Sequence, residues 1–226
     1  MGRREVGIPE PEPETEDPAP IDAHPVRRLI EACLPVAAIQ AWVWSLGPDR
    51  TRLLDAAFGV ALGALVAILA ARSRPNRRTF GVAAGPEHRK SAFPLAIFTL
   101  LAVGGLLAWG DWAGRLRIEF DLVSALAAYP AWAALQMAAV LGFVYPRIRA
   151  LSGRATAPFL TALLFGSAHA PNLLLMGGGF VMVAVYAAIW ERHPSLPAVA
   201  LSHGIIGAVC NKALHVSMRI GPGYFL

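Results

Sequence analysis

Long apolar stretches alternate with short polar and charged segments along most of this chain. A helix of about 20 apolar residues crosses the hydrocarbon core of a membrane. Seven stretches approach that length, and they cover residues 29–46, 53–71, 93–110, 122–145, 158–176, 180–190 and 196–214. The sixth is short unless it takes up the three glycines at 177–179. The pattern predicts an all-α fold, a polytopic transmembrane bundle of about seven spans.

The N-terminal segment has a different composition. Six prolines between positions 9 and 25 alternate with acidic residues, so residues 1–28 lack the apolar surface that a core needs. We therefore predict a disordered, cytoplasmic tail over 1–28. Two N-terminal spans with a basic loop follow over 29–92, then a core region over 93–216 and a C-terminal tail over 217–226.

Composition and charge fit a membrane protein. The chain is 56% hydrophobic and 15% charged, whereas soluble domains carry about 25% charged residues. Its basic residues lie between apolar segments and not on one face of a soluble fold, which excludes nucleic acid as a partner and leaves the lipid bilayer. Of the 20 Lys and Arg residues, 14 fall on the side of the N-terminus if seven spans are assumed. The excess predicts a cytoplasmic N-terminus.

Strongly polar side chains stand inside three of the apolar stretches. His169 and Asn172 lie in the fifth, His203 in the seventh and Gln136 in the fourth. Counted from the cytoplasmic ends, Gln136 and the two histidines are roughly 10–17 Å deep. Such residues in hydrocarbon are costly, and their first interpretation is functional. We expect one shared site open to the cytoplasmic side; the structural alternative is an interhelical hydrogen bond for Gln136 and a bond to a backbone carbonyl for each histidine.

Two acidic residues and two cysteines also fall in or beside the spans. Glu31 and Glu191 lie at span ends, where a carboxylate reaches water, so we expect solvated boundary charges. Cys33 and Cys210 lie far apart without metal-binding spacing, and we interpret them as small buried hydrophobic residues.

Three short motifs in order resemble the CAAX-protease and bacteriocin-processing family of intramembrane proteases. Residues 165–169, Phe-Gly-Ser-Ala-His, match its Phe-x-x-x-His motif, and the approach to His203 resembles its third motif. Residues 136–147 align with its Glu-Glu motif, and the resemblance extends over about 93–215. The chain departs from the family at four positions: Gln136 and Met137 replace the glutamates, Leu141 the arginine and Gly207 the third-motif Asn, although Asn211 follows one turn later.

The resemblance implies an intramembrane endopeptidase of the bacterial cytoplasmic (inner) membrane, acting on a membrane-anchored peptide or protein. In the family, a glutamate and the histidines are thought to activate water. Gln136 cannot accept a proton, so we assign water activation to His169 and His203. Asn172 would orient the site or bind the oxyanion, and Gln136 would hydrogen-bond water or substrate. No cofactor is expected, since two histidines with neutral amides would be a weak zinc site.

Two other functions remain open. A catalytically inactive relative would bind membrane peptides as a scaffold or immunity protein, which the loss of the family glutamate favours and the retained histidines oppose. A small transporter or proton relay would use the same polar cluster, but no inverted repeat relates the two halves of the sequence.

Overall fold

In the computed structural model, the described part of the chain is helical and contains no strand. It comprises residues 24–47, 51–72, 77, 79–82, 85–118 and 121–225, without the side chains of Arg52 and Glu87. The helices are α1 (Pro25–Leu46), α2 (Arg52–Arg72), α3 (Glu87–Trp112), α4 (Asp121–Met137), a π-helical segment (Ala138–Val144), α5 (Tyr145–Ser152), α6 (Ala157–Ser167), α7 (Leu173–Trp190), α8 (Leu196–Ala208) and a second π-helical segment (Val209–Ala213). The predicted all-α fold is confirmed. Most of the predicted tail lies outside the described residues, but 25–28 belong to α1.

Within the described ranges, five helical stretches are long and apolar enough to cross a membrane. They are Pro25–Leu46, Leu53–Arg72, His88–Trp112, Asp121–Ser152 and Leu173–Trp190, and α6 is a shorter apolar helix. Large apolar side chains such as Phe93 and Leu100 are 73% exposed on the outside of the bundle. An exposed apolar surface of this kind suits contact with lipid. The chain is therefore an integral membrane protein.

The predicted fifth span, 158–176, is wrong as a single helix. Helix α6 ends at Ser167, and α7 begins at Leu173 after a turn. The side chain of Asn172 accepts a hydrogen bond from the Leu175 amide (3.1 Å), which caps the start of α7. Pro171 has no amide hydrogen with which to continue α6. Helix α7 consequently includes the three glycines and reaches 18 residues.

Helices α4 and α8 pack closely and run antiparallel. A Cβ atom at Gly204 would come within 2.6 Å of the Pro130 nitrogen, and one at Gly207 within 3.1 Å of the Tyr129 ring. Further along the pair, Lys212 contacts the Asp121 carboxylate. This contact order fixes the register of the two helices. Their close approach depends on the absence of a side chain at Gly204.

Ion pairs join the helices at one end of the bundle, which we call the arginine-rich end. Glu31 of α1 is 9% exposed and accepts hydrogen bonds from Nε of Arg147 (2.7 Å) and Nε of Arg27 (2.8 Å). Arg147 itself is 2% exposed and lies over the Phe143 ring.

A second cluster at this end surrounds Glu191, whose partners are Tyr145, Arg149 and Arg154. The expectation of solvated boundary charges is therefore wrong for both glutamates, because basic side chains from other helices reach them.

Candidate active site

His169 lies in the turn after α6, and a backbone carbonyl orients its ring. Its Nδ1 is 2.8 Å from the Phe165 carbonyl oxygen, one helical turn earlier. A carbonyl oxygen only accepts, so Nδ1 carries the hydrogen and donates it. In the neutral ring, Nε2 then keeps its lone pair and can accept a proton or a hydrogen bond.

His203 of α8 meets the same phenylalanine. Its ring packs edge-on against the Phe165 ring at 6.1 Å between centroids, while the His169 ring lies 4.7 Å from that ring. Nδ1 of His203 is buried and meets no hydrogen-bond partner among the described residues. Because buried polar atoms are nearly always hydrogen-bonded, this nitrogen is suited to a water or a substrate group. The structure thus brings the two predicted histidines together around Phe165.

Gln136 lies apart from that pair along the bundle. The contact between Gly204 and Pro130 places His203 at the level of about residue 131 of α4. Gln136 is five residues further toward the arginine-rich end, roughly 8 Å along the helix. It is half-buried and makes no hydrogen bond within the described part of the chain. The place of Gln136 in a site shared with the two histidines therefore stays a prediction.

The other first-motif positions belong to the apolar core. Met137 and Leu141 stand where the family has a glutamate and an arginine, and both are fully buried in the main apolar cluster. The π-helical segment Ala138–Val144 begins directly after Met137. Such segments occur frequently at functional sites. Here Gly142 leaves space for the Phe80 ring, whose Cδ1 would lie 2.5 Å from a Cβ at that position.

Asn172 is fully buried, and its amide is fully engaged. Besides capping α7 through its oxygen, it donates from Nδ2 to the carbonyl oxygens of Ser217 (3.2 Å) and Arg219 (3.3 Å). Both amide hydrogens are thus committed to the C-terminal segment. Asn172 fixes the turn that carries His169, and its role toward an oxyanion stays a prediction.

The third-motif asparagine has no equivalent in the site. Gly207 occupies its position, where the Tyr129 ring leaves little room for a larger side chain. Asn211, one turn later, donates to the Val216 carbonyl oxygen (3.2 Å). The described contacts therefore give Asn211 a role in holding the end of α8, and none in the histidine pair.

A chain of buried hydroxyl groups, not predicted from the sequence, lies beside His203. Thr99 donates to the Leu95 carbonyl (2.7 Å), and its oxygen lies 2.6 Å from Ser202 Oγ. Tyr186 OH lies 2.8 Å from the same Ser202 oxygen. Since Thr99 has already donated its hydrogen, Ser202 must donate to Thr99, and Tyr186 to Ser202. Thr99 and Ser202 interrupt apolar stretches, a signal that could have revealed them.

Gln40 of α1 was missed as well. Its Nε2 donates to the carbonyl oxygens of Ser167 (3.0 Å) and Ala168 (3.1 Å), directly before His169. Its Oε1 accepts from the Trp44 indole nitrogen (2.9 Å). A glutamine in the first apolar stretch was a visible signal, but its partners are 127 and 128 residues away in the sequence.

Metal ligands do not cluster in this part of the molecule. Over the described ranges, no group of three or more His, Cys, Asp or Glu side chains comes together. A cavity of about 380 Å³ lies between the segments that follow α3 and the second π-helical segment, and it is lined by Gly114, Arg115, Arg117, Leu214 and His215. None of these is a predicted site residue, so an opening of the histidine site to the cytoplasmic side stays a prediction.

Comparison with known proteins supports the resemblance. A family model described as type II CAAX prenyl endopeptidase Rce1-like matches residues 121–209, about two-fifths of the chain. That range includes Gln136, both histidines and Asn172. No curated protein and no solved structure matches the chain. Over residues 121–209 the chain is thus similar to the Rce1-like type II CAAX prenyl endopeptidases, and the family resemblance that its motifs indicate is confirmed.

Proposed function

We propose that this protein is an intramembrane endopeptidase of the bacterial cytoplasmic membrane. It hydrolyses a peptide bond in a membrane-anchored peptide or protein. The observation that carries the proposal is the pairing of His169 and His203 around Phe165. One histidine has a ring nitrogen with a free lone pair, and the other has a buried nitrogen that meets no partner in the described chain.

In the proposed reaction, a water molecule bound between the histidines attacks the scissile carbonyl carbon. Nε2 of His169 accepts a proton from this water as the carbon–oxygen bond forms. The resulting imidazolium then returns the proton to the leaving amine as the carbon–nitrogen bond breaks. His203 orients the water through its unpartnered nitrogen, while the Phe165 carbonyl keeps the His169 ring in the required tautomer. Gln136, closer to the arginine-rich end, hydrogen-bonds the substrate backbone.

The second candidate is a catalytically inactive relative that binds membrane peptides as a scaffold or immunity protein. The observation that favours it is the replacement of all three charged groups of the first motif by Gln136, Met137 and Leu141. The last two are buried among apolar side chains, so neither position can take part in proton transfer. The histidine pair would then be a structural remnant.

A comparison of membrane proteomes separates the two candidates. Cells carrying His169→Ala or His203→Ala should accumulate a specific uncleaved precursor, because each change removes the base or its partner. His24→Ala is the matched control, since this histidine is exposed and precedes α1. Identical proteomes in all strains would support the scaffold.

Substitution of Gln136 tests the same question at the first motif. In an active enzyme, Gln136→Ala should weaken hydrolysis by about 10²- to 10³-fold, the usual contribution of one positioned hydrogen bond. Gln136→Glu should also lower activity or shift its pH dependence, because it buries a negative charge in a site that works with a neutral amide. Activity found only in Gln136→Glu would instead identify a relative that lost its function with the family glutamate.

A further inference from the structure

The turn between α6 and α7 has several backbone carbonyl groups to satisfy in apolar surroundings. The last carbonyls of any helix lack partners within it, and in a membrane such groups must bond inside the protein. The Gly166 carbonyl accepts from the His169 amide, and the Ser167 carbonyl from the Ala170 amide. The Phe165 carbonyl accepts from the His169 ring. The Ala168 carbonyl is left without a backbone donor in the described chain.

Gln40 supplies that missing donor from a distant helix. Its Nε2 reaches the Ala168 carbonyl (3.1 Å) and the Ser167 carbonyl (3.0 Å) together, which uses both of its hydrogens. The indole of Trp44, one turn later on α1, holds the other end of the amide (2.9 Å). The orientation of the Gln40 amide is therefore fixed at both ends.

These contacts lie at the base of a candidate catalytic side chain. Ala168 immediately precedes His169, and the direction of its carbonyl sets the peptide plane from which His169 projects. We propose that Gln40 is a positioning residue for His169, which holds the turn so that the ring keeps its hydrogen bond to the Phe165 carbonyl. For its effect on catalysis this inference rests on the proposed function. It also extends the site to α1, outside residues 121–209.

Trp42 provides a control on the same helix. Its indole nitrogen donates to Asp55 (3.1 Å), and its ring stacks on Phe58 at 4.6 Å, so it attaches α1 to α2. Trp42→Phe removes the indole donor and keeps an aromatic ring. It therefore loosens a contact of α1 with α2 and leaves the contact between Gln40 and the turn in place.

The direct test is nitrogen NMR of ¹⁵N-histidine-labelled full-length protein in lipid nanodiscs, with the His169 signals assigned by their loss in His169→Asn. Wild type should show His169 as one tautomer, protonated on Nδ1. Gln40→Met, similar in length but without donors, should give mixed or exchange-broadened ring signals. Gln40→Glu offers one hydrogen at most, so its His169 signals should be intermediate between those of wild type and Gln40→Met. If Gln40→Met does not fold, Gln40→Glu serves as the test variant. Trp42→Phe should match wild type.

Unchanged His169 signals in the folded Gln40 variants would overturn the inference, as would an equal change in Trp42→Phe. Turnover of a cleaved precursor gives a second measurement. Because small misplacement of a catalytic group costs up to about 10²-fold, kcat should fall by about that factor in Gln40→Met. KM should change much less, since both ends of the Gln40 amide are bonded within the protein. A wild type without activity on any precursor would refute the proposed function and leave the NMR result to decide on Gln40.

Discussion

At the scale of single residues, the buried pair of Glu31 and Arg147 should contribute strongly to stability. Glu31→Ala removes the carboxylate that neutralises a guanidinium with 2% exposure. Breaking a buried ion pair in this way costs about 3–5 kcal/mol. Arg27→Ala is the matched control, because Arg27 contacts the same carboxylate but its side chain is 61% exposed, and exposed pairs contribute about 0–1 kcal/mol. Equal losses in free energy of unfolding, measured by denaturant titration in micelles, would contradict this difference.

Individual residues show what the sequence could predict. The meeting of His169 and His203 around Phe165 could be predicted because ionisable groups in apolar stretches have few structural uses. Glu31 was misinterpreted because a span end normally gives a carboxylate access to water, and nothing local indicates that Arg147 approaches from 116 residues away. Gln40 was missed for the same reason. A single sequence does not show to which distant carbonyl groups the Gln40 amide donates.

At the scale of helices, the contact between α4 and α8 should depend on Gly204. Gly204→Ala would place a Cβ within 2.6–2.7 Å of the Pro130 backbone. Neither helix can move without disturbing the rest of the contact. We therefore expect the free energy of unfolding to fall by about 1–3 kcal/mol. Gly177→Ala is the control, since a Cβ at that helical position meets nothing within 4 Å, and stability there should stay equal or rise slightly. Thermal unfolding in detergent measures both, and similar melting temperatures would contradict the expectation.

Hydropathy predicted most helices, because a membrane span is selected by length and apolar content. It failed between 158 and 176, where the composition stays apolar through the turn. Asn172, the cap that begins α7, was visible in the sequence but was interpreted as a site residue. Capping and catalysis use the same short polar side chains, so periodicity and hydropathy cannot separate the two roles.

At the scale of the whole molecule, the arginine-rich end should face the cytoplasm. Single cysteines at Ser152, beside this end, and at position 73 should resist an impermeant thiol reagent in intact cells. A cysteine at Arg117, exposed after α3, should react. Cys33 and Cys210 would first be replaced by alanine. The prediction rests on the excess of Lys and Arg that marks the cytoplasmic side of a membrane protein. The reverse pattern of labelling would show that the bundle has the opposite orientation.

The hydroxyl chain from Tyr186 through Ser202 to Thr99 also bears on whether the bundle conducts protons. A proton wire requires each link both to receive and to release a proton, so that all the bonds can reverse direction. The chain ends on the Leu95 carbonyl oxygen, which only accepts and has no proton to release. Its hydrogens are therefore ordered one way only. The hydroxyl chain holds α3, α7 and α8 together beside His203, and it does not conduct protons.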